Sequence, residues 1–149
     1  YESISSGTYK ITLKDINNTY DEISSIYSLR DEQYYTIVVL DDSFIFSPDG
    51  NISCPSPSFN KIIFHNLSNT TLSKIHISPS VSQFNNVRSG EMVISELPDN
   101  FYSLELFGIN KEQKSNVPLD LFGNVIYTIF YFSPNKIITI PNYYCNLYL

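Results

Sequence analysis

His65 and His76 are the only candidates in the sequence for a base at neutral pH. Both fall in strand-like runs, and no cysteine or carboxylate stands at metal-ligand spacing from either, so no zinc site is expected. Asp41, Asp42 and Asp49 are the carboxylates that could hold Ca²⁺ between domains. Each reads better as a strand-end or turn residue, and no metal is expected. Glu96 and Glu105 could be paired as the carboxylates of a glycosidase, but any acidic β protein offers such pairs. No GxSxG, P-loop or dinucleotide fingerprint is present. The residues point away from an enzyme and from any cofactor. Cys54 and Cys145 allow a single disulfide within the chain.

Modification chemistry is better represented. Four Asn-x-Ser/Thr sequons begin at Asn17, Asn51, Asn66 and Asn69. They lie just beyond strand-like runs, where a glycan is tolerated, and predict a secreted or cell-surface protein carrying N-linked glycans. The chain begins at Tyr1 with neither methionine nor a signal-like segment, which reads as a mature product or an excised piece. The net charge of −6 and pI near 4.7, with nine scattered Lys and Arg, exclude a basic stripe for nucleic acid. No apolar run approaches the ~20 residues of a membrane-spanning helix, so no membrane span is expected.

The elements that must position these residues are strands. Ala and Trp are absent, whereas Ile, Asn, Ser, Tyr and Phe are abundant, a balance that disfavours helix and favours strand. Hydrophobic content of 42% with a mean hydropathy of −0.10 is that of a globular chain. Period-two alternation and turn chemistry predict strands over 8–14, 23–29, 34–40, 43–47, 61–65, 72–78, 91–97, 102–106, 119–122, 125–132 and 136–140. Pro48-Asp49-Gly50-Asn51 reads as a turn, and 79–90 and 110–116 as loops. Most of the aromatic residues alternate into these predicted cores. Strands at this spacing suggest a β-sandwich.

The sequence also repeats itself. Tyr9 and Tyr102 share flanks: an aliphatic five residues before (Ile4, Leu97) and an asparagine eight after (Asn17, Asn110). The two tyrosines are 93 residues apart. Tyr35-Thr36-Ile37 matches Tyr127-Thr128-Ile129 at an offset of 92, Pro48 matches Pro141 at 93, and Cys54 matches Cys145 at 91. Anchors kept in order at a nearly constant offset predict a tandem repeat with a period of about 92 residues.

Leu97-Pro98-x-x-x-Tyr102-x-Leu104-x-Leu106 resembles the L-P-x-G-x-Y-x-V-x-V phrase of Ig-like and fibronectin-III-like repeats in large cell-surface adhesins. Asn100 stands where glycine is usual, and Gly7 keeps the glycine in the first copy. The match covers about ten residues in each copy. It implies an all-β, Ig-like antiparallel β-sandwich in which Tyr9 and Tyr102 are corner tyrosines, ring in the core and hydroxyl on the turn backbone. If the phrase opens the penultimate strand, a complete sandwich spans 41–132. Residues 1–40 are then the closing strands of one partial repeat, and 133–149 the opening strands of another. Such fragments belong either to a longer array or to chains that complete each other by strand addition. A single enlarged sandwich is the third arrangement. It would make a Cys54–Cys145 bond natural, whereas stacked repeats would hold the two cysteines apart. The apolar tail, with Tyr143, Tyr144, Leu147, Tyr148 and Leu149, reads as a docking strand.

Together these features imply a structural, glycosylated extracellular repeat of a self-assembling surface filament or adhesin stalk, with itself and N-linked glycans as partners. The alternative is an extracellular binding module, either a receptor ectodomain or a lectin-like sandwich.

Overall fold

The computed structural model describes residues 4–14, 22–31, 33–39, 44–50, 53–80 and 82–142. Among them the regular structure is entirely β, without helix. The strands are β1 Gly7–Leu13, β2 Ile23–Leu29, β3 Tyr34–Val39, β4 Phe44–Gly50, β5 Phe59–Asn66 and β6 Leu72–Ser78. They continue with β7 Gln83–Val87, β8 Met92–Pro98, β9 Asn100–Phe107, β10 Gln113–Leu121, β11 Ile126–Ser133 and β12 Lys136–Asn142. The chain divides into two compact units, Tyr1–Ser53 and Cys54–Leu149.

Among its described residues the first unit has two antiparallel two-stranded sheets, β1–β2 and β3–β4. A lone two-stranded ribbon is marginal in water, and aromatic rings link these two. Tyr27 of β2 stacks on Phe46 of β4 at 4.1 Å between centroids and meets Phe44 edge-on at 6.0 Å. Tyr35 also stacks on Phe46, at 5.0 Å between centroids.

The second unit contains two four-stranded sheets, ordered β12-β11-β5-β8 and β10-β9-β6-β7. One hydrophobic cluster draws on both. Ile62 and Phe64 of β5, Leu97 of β8 and Ile129 and Tyr131 of β11 come from the first. Leu72, Ile75 and Ile77 of β6, Tyr102, Leu104 and Leu106 of β9, and Leu119 and Leu121 of β10 come from the second. The alternation that buries Tyr102, Leu104 and Leu106 turns Ser103 and Glu105 to the opposite face. The central strands β5 and β11 are buried on both faces, with Ile63 and Phe130 fully buried away from the shared cluster. That explains their near-continuous apolar sequence.

Several sequence expectations need correction. The sheets are not wholly antiparallel, because β11 pairs with β5 in parallel, Ile126 opposite Lys61 through Tyr131 opposite Asn66. The expected boundaries at 40/41 and 132/133 fall inside the β3–β4 and β11–β12 pairs, and the compact units meet instead at Ser53/Cys54. Polar 79–90 contains β7, which pairs with β6 while Phe84 and Val87 pack on the core. β10 begins at Gln113, within the expected loop, because backbone pairing to β9 needs little from its exposed side chains. β4 runs through the expected turn at Pro48 to Gly50, and an edge strand tolerates a proline.

Candidate functional site

The two tyrosine phrases have the same local geometry. Tyr102 donates its hydroxyl to Pro98 O at 3.1 Å, and Tyr9 donates to Ser5 O at 2.8 Å, each four residues back along the chain. The Tyr102 side chain is buried, which together with the Asp99 carboxylate pushes its phenol pKa above the ordinary value. Tyr9 is half-buried.

The strand pairs that follow also match. Gly7 lies opposite Leu29, Tyr9 opposite Tyr27 and Leu13 opposite Ile23 in β1–β2. Asn100 lies opposite Leu121, Tyr102 opposite Leu119 and Leu106 opposite Ser115 in β9–β10. Adding 93 to the β1 numbers and 92 to the β2 numbers converts all seven β1–β2 pairs into β9–β10 pairs. Adding 92 to β3 and 93 to β4 does the same for five of the six β3–β4 pairs, from Tyr35–Pro48 (Tyr127–Pro141) to Val39–Phe44 (Tyr131–Ile137). Tyr34 is the exception, at a bulge.

The sequons separate into different environments. Asn66 is fully buried. Its Nδ2 donates to Thr70 O and Val87 O, both at 2.9 Å, and its Oδ1 accepts from Ser68 N at 3.2 Å and Ser68 Oγ at 2.6 Å. Both Nδ2 hydrogens are used and no surface remains, so the folded chain has no room for a glycan at Asn66. The expectation of a modified Asn66 is therefore corrected: this carboxamide organises the 66–70 turn. Asn69 is exposed. Asn17 and Asn51 lie outside the described residues, as do Asp41, Asp42 and the tail with Tyr143, Tyr144, Leu147, Tyr148 and Leu149.

At the opposite end of β5, Asn60 is equally buried. It accepts from Val125 N at 3.0 Å and donates to Asp99 Oδ1 at 2.7 Å, joining the start of β11 to the turn ahead of Tyr102. Sequence reading missed both clamps. The signal was available in the phase, since Asn60 and Asn66 share a face with core residues Ile62 and Phe64, where a polar side chain must find partners.

A scan against protein-family models finds no match, and a search of curated proteins finds none.

The remaining polar groups are dispersed. His65 is buried and stacks on Phe130 with centroids 4.9 Å apart, and desolvation lowers its pKa to about 4. His76 Nδ1 lies 3.1 Å from Glu105 Oε2 on the outward face of the β6–β9 pair. Glu96 instead meets Lys61 Nζ at 3.1 Å in the other sheet. The two glutamates thus lie in separate sheets, each beside its own basic group, and are not brought together as an acid and base pair. Among the described residues there is no cluster of three or more His, Cys, Asp or Glu able to hold a metal. A groove of about 760 Å³ on the second sheet is lined by Lys74, Asn85, Phe107, Ile109 and Lys111. Lys74 Nζ already sits over the Phe107 ring there, 5.5 Å from its centroid.

Cys54 is disulfide-bonded, and Cys145, the only other cysteine of the sequence, lies outside the described residues. Parallel pairing of β5 with β11 brings the start of β5 and the end of β12 to the same end of one sheet, where Ile126 faces both Lys61 and Asn142. The distance expected between equivalent points of stacked repeats therefore does not apply to a bond within this unit.

Proposed function

We propose that the chain is a structural, extracellular repeat protein of a self-assembling surface filament or adhesin stalk, built from Ig-like β-sandwich modules of about 92 residues and joined end to end by strand pairing. The observation that carries this reading is the shared register: β1–β4 reproduce the pairing of β9–β12 with offsets of 92 and 93. Unrelated hairpins have no reason to agree pair by pair, whereas two copies of one module do. Two four-stranded sheets around one hydrophobic cluster, with a tyrosine at the start of β9 bonded back to Pro98, support the Ig-like sandwich as the module.

The disulfide at Cys54 and the exposed sequon asparagine Asn69 support an oxidising, extracellular setting with N-linked glycans. No chemistry is assigned to the chain. The dispersed histidines and glutamates suit a mechanical role, in which apolar burial and strand pairing bear the load.

Sedimentation velocity, combined with non-reducing mass before and after deglycosylation, tests the reading. Species larger than 17.1 kDa that grow with concentration, and a mass loss on deglycosylation, are expected. An unglycosylated 17.1 kDa monomer at every concentration would refute it and return attention to a binding module.

A further inference from the structure

We propose that the second edges of β1 and β3 are acceptor edges for the opening half of another module, a further copy of residues 54–93. This rests on reading the two units as copies of one module, and it specifies the joint. In the second unit β9 has β10 on one side and β6 on the other, and β11 has β12 on one side and β5 on the other. Their counterparts have only the first neighbour: among the described residues β1 pairs with β2 alone and β3 with β4 alone. The missing neighbours are the counterparts of β6 and β5.

Side-chain exposure marks the same edges. Ile129 and Tyr131 of β11 are fully buried, yet their counterparts on β3, Ile37 and Val39, are 43% and 61% exposed. Leu104 and Leu106 of β9 are fully buried, whereas their counterparts Ile11 and Leu13 are only half-buried. Equivalent apolar positions differ in cover as the strands beside them do: the second unit has β5 and β6, and the described residues of the first unit include no counterpart of either.

The register of the joint follows from the completed unit. β6 meets β9 with Ile75 opposite Leu106 and Ile77 opposite Leu104, so the incoming β6-like strand runs antiparallel to β1 with its isoleucines opposite Leu13 and Ile11. β5 meets β11 in parallel with Ile62 opposite Tyr127 and Phe64 opposite Ile129, so the β5-like strand runs parallel to β3 with its Ile and Phe opposite Tyr35 and Ile37. Backbone pairing supplies affinity, and the alternate apolar side chains fix which strand fits.

The test joins a second copy of residues 54–93 directly ahead of Tyr1 in the full chain and follows amide hydrogen exchange. Exchange at residues 10–14 and 34–39 should slow at least tenfold relative to the original chain, while β5 and β11 of the second unit stay unchanged. A control carrying Ile75→Lys and Ile77→Lys in the added copy alone should lose that protection. Unchanged exchange at 10–14 and 34–39, or equal slowing in the control, would overturn the proposal. If the original chain polymerises while these residues remain unprotected in the fusion, the joint lies elsewhere and the filament reading stands. Protection in the fusion with a strictly monomeric original chain would instead retain the acceptor edges and remove the filament.

Discussion

Acid should weaken the second unit through His65. The side chain is 5% exposed and lies flat against Phe130, and its neighbours across the sheet, Met92 and Phe130, carry no charge. The imidazole is therefore held neutral, with a folded pKa of about 4 against 6.5 in the unfolded chain. Between those values the unfolded state binds the extra proton, so the contribution is complete above pH 6.5 and is lost as pH falls toward 4. The linkage amounts to roughly 1 kcal/mol at pH 5.5 and roughly 3 kcal/mol at pH 4.5. Urea unfolding followed by far-UV circular dichroism from pH 7.5 to 4.5 measures it, with His65→Gln as the reference. The comparison is one of slopes, so any pH-independent loss of packing in the variant cancels, as do carboxylates common to both proteins. Wild type should fall more steeply than the variant by those amounts. Parallel slopes would show that His65 titrates alike in both states and would refute the reasoning.

Tyr102→Phe should cost about 1 kcal/mol by removing the bond to Pro98 O, and Tyr9→Phe less because its ring is half-solvated; urea midpoints at constant m-value read both. Asn66→Ala should cost about 2–3 kcal/mol, since it takes the side-chain partner from Ser68 N and Val87 O at a buried site, whereas Thr70 O keeps Ser68 Oγ; the same unfolding assay checks it. Peptide mapping of protein from a glycosylating host should find Asn69 modified and Asn66 bare, and a glycan on Asn66 of folded protein would contradict the buried carboxamide. Lys111 occupies a left-handed backbone conformation (φ 61°) at the β9–β10 turn, so Lys111→Gly should stabilise by about 0.5 kcal/mol, seen as a higher urea midpoint.

Alternation made most of the strands legible. Ile23–Leu29 and Leu72–Ser78 occur with the expected ends, although the first alternates only weakly and Leu72 is out of phase with Ile75 and Ile77 in the second. The segment Gln83–Val87 was not legible. It contributes only Phe84 and Val87 to the core and is a strand because β6 offers it an edge. Nor does any local pattern declare that β11 runs parallel to β5, since a strand buried on both faces has the same composition in either direction. The tyrosine phrases were legible because a corner needs a particular residue at a particular step from a turn. The buried Asn60 and Asn66 were obscured by composition: in a chain so rich in asparagine, a sequon reads first as a glycan acceptor.

Electron microscopy of the native material tests the central claim most directly. Linear polymers are predicted, with an axial spacing of about 30–40 Å per module, as strands of about eight residues at ~3.4 Å per residue plus their loops would give. A field of separate, monodisperse particles at every concentration would contradict the account.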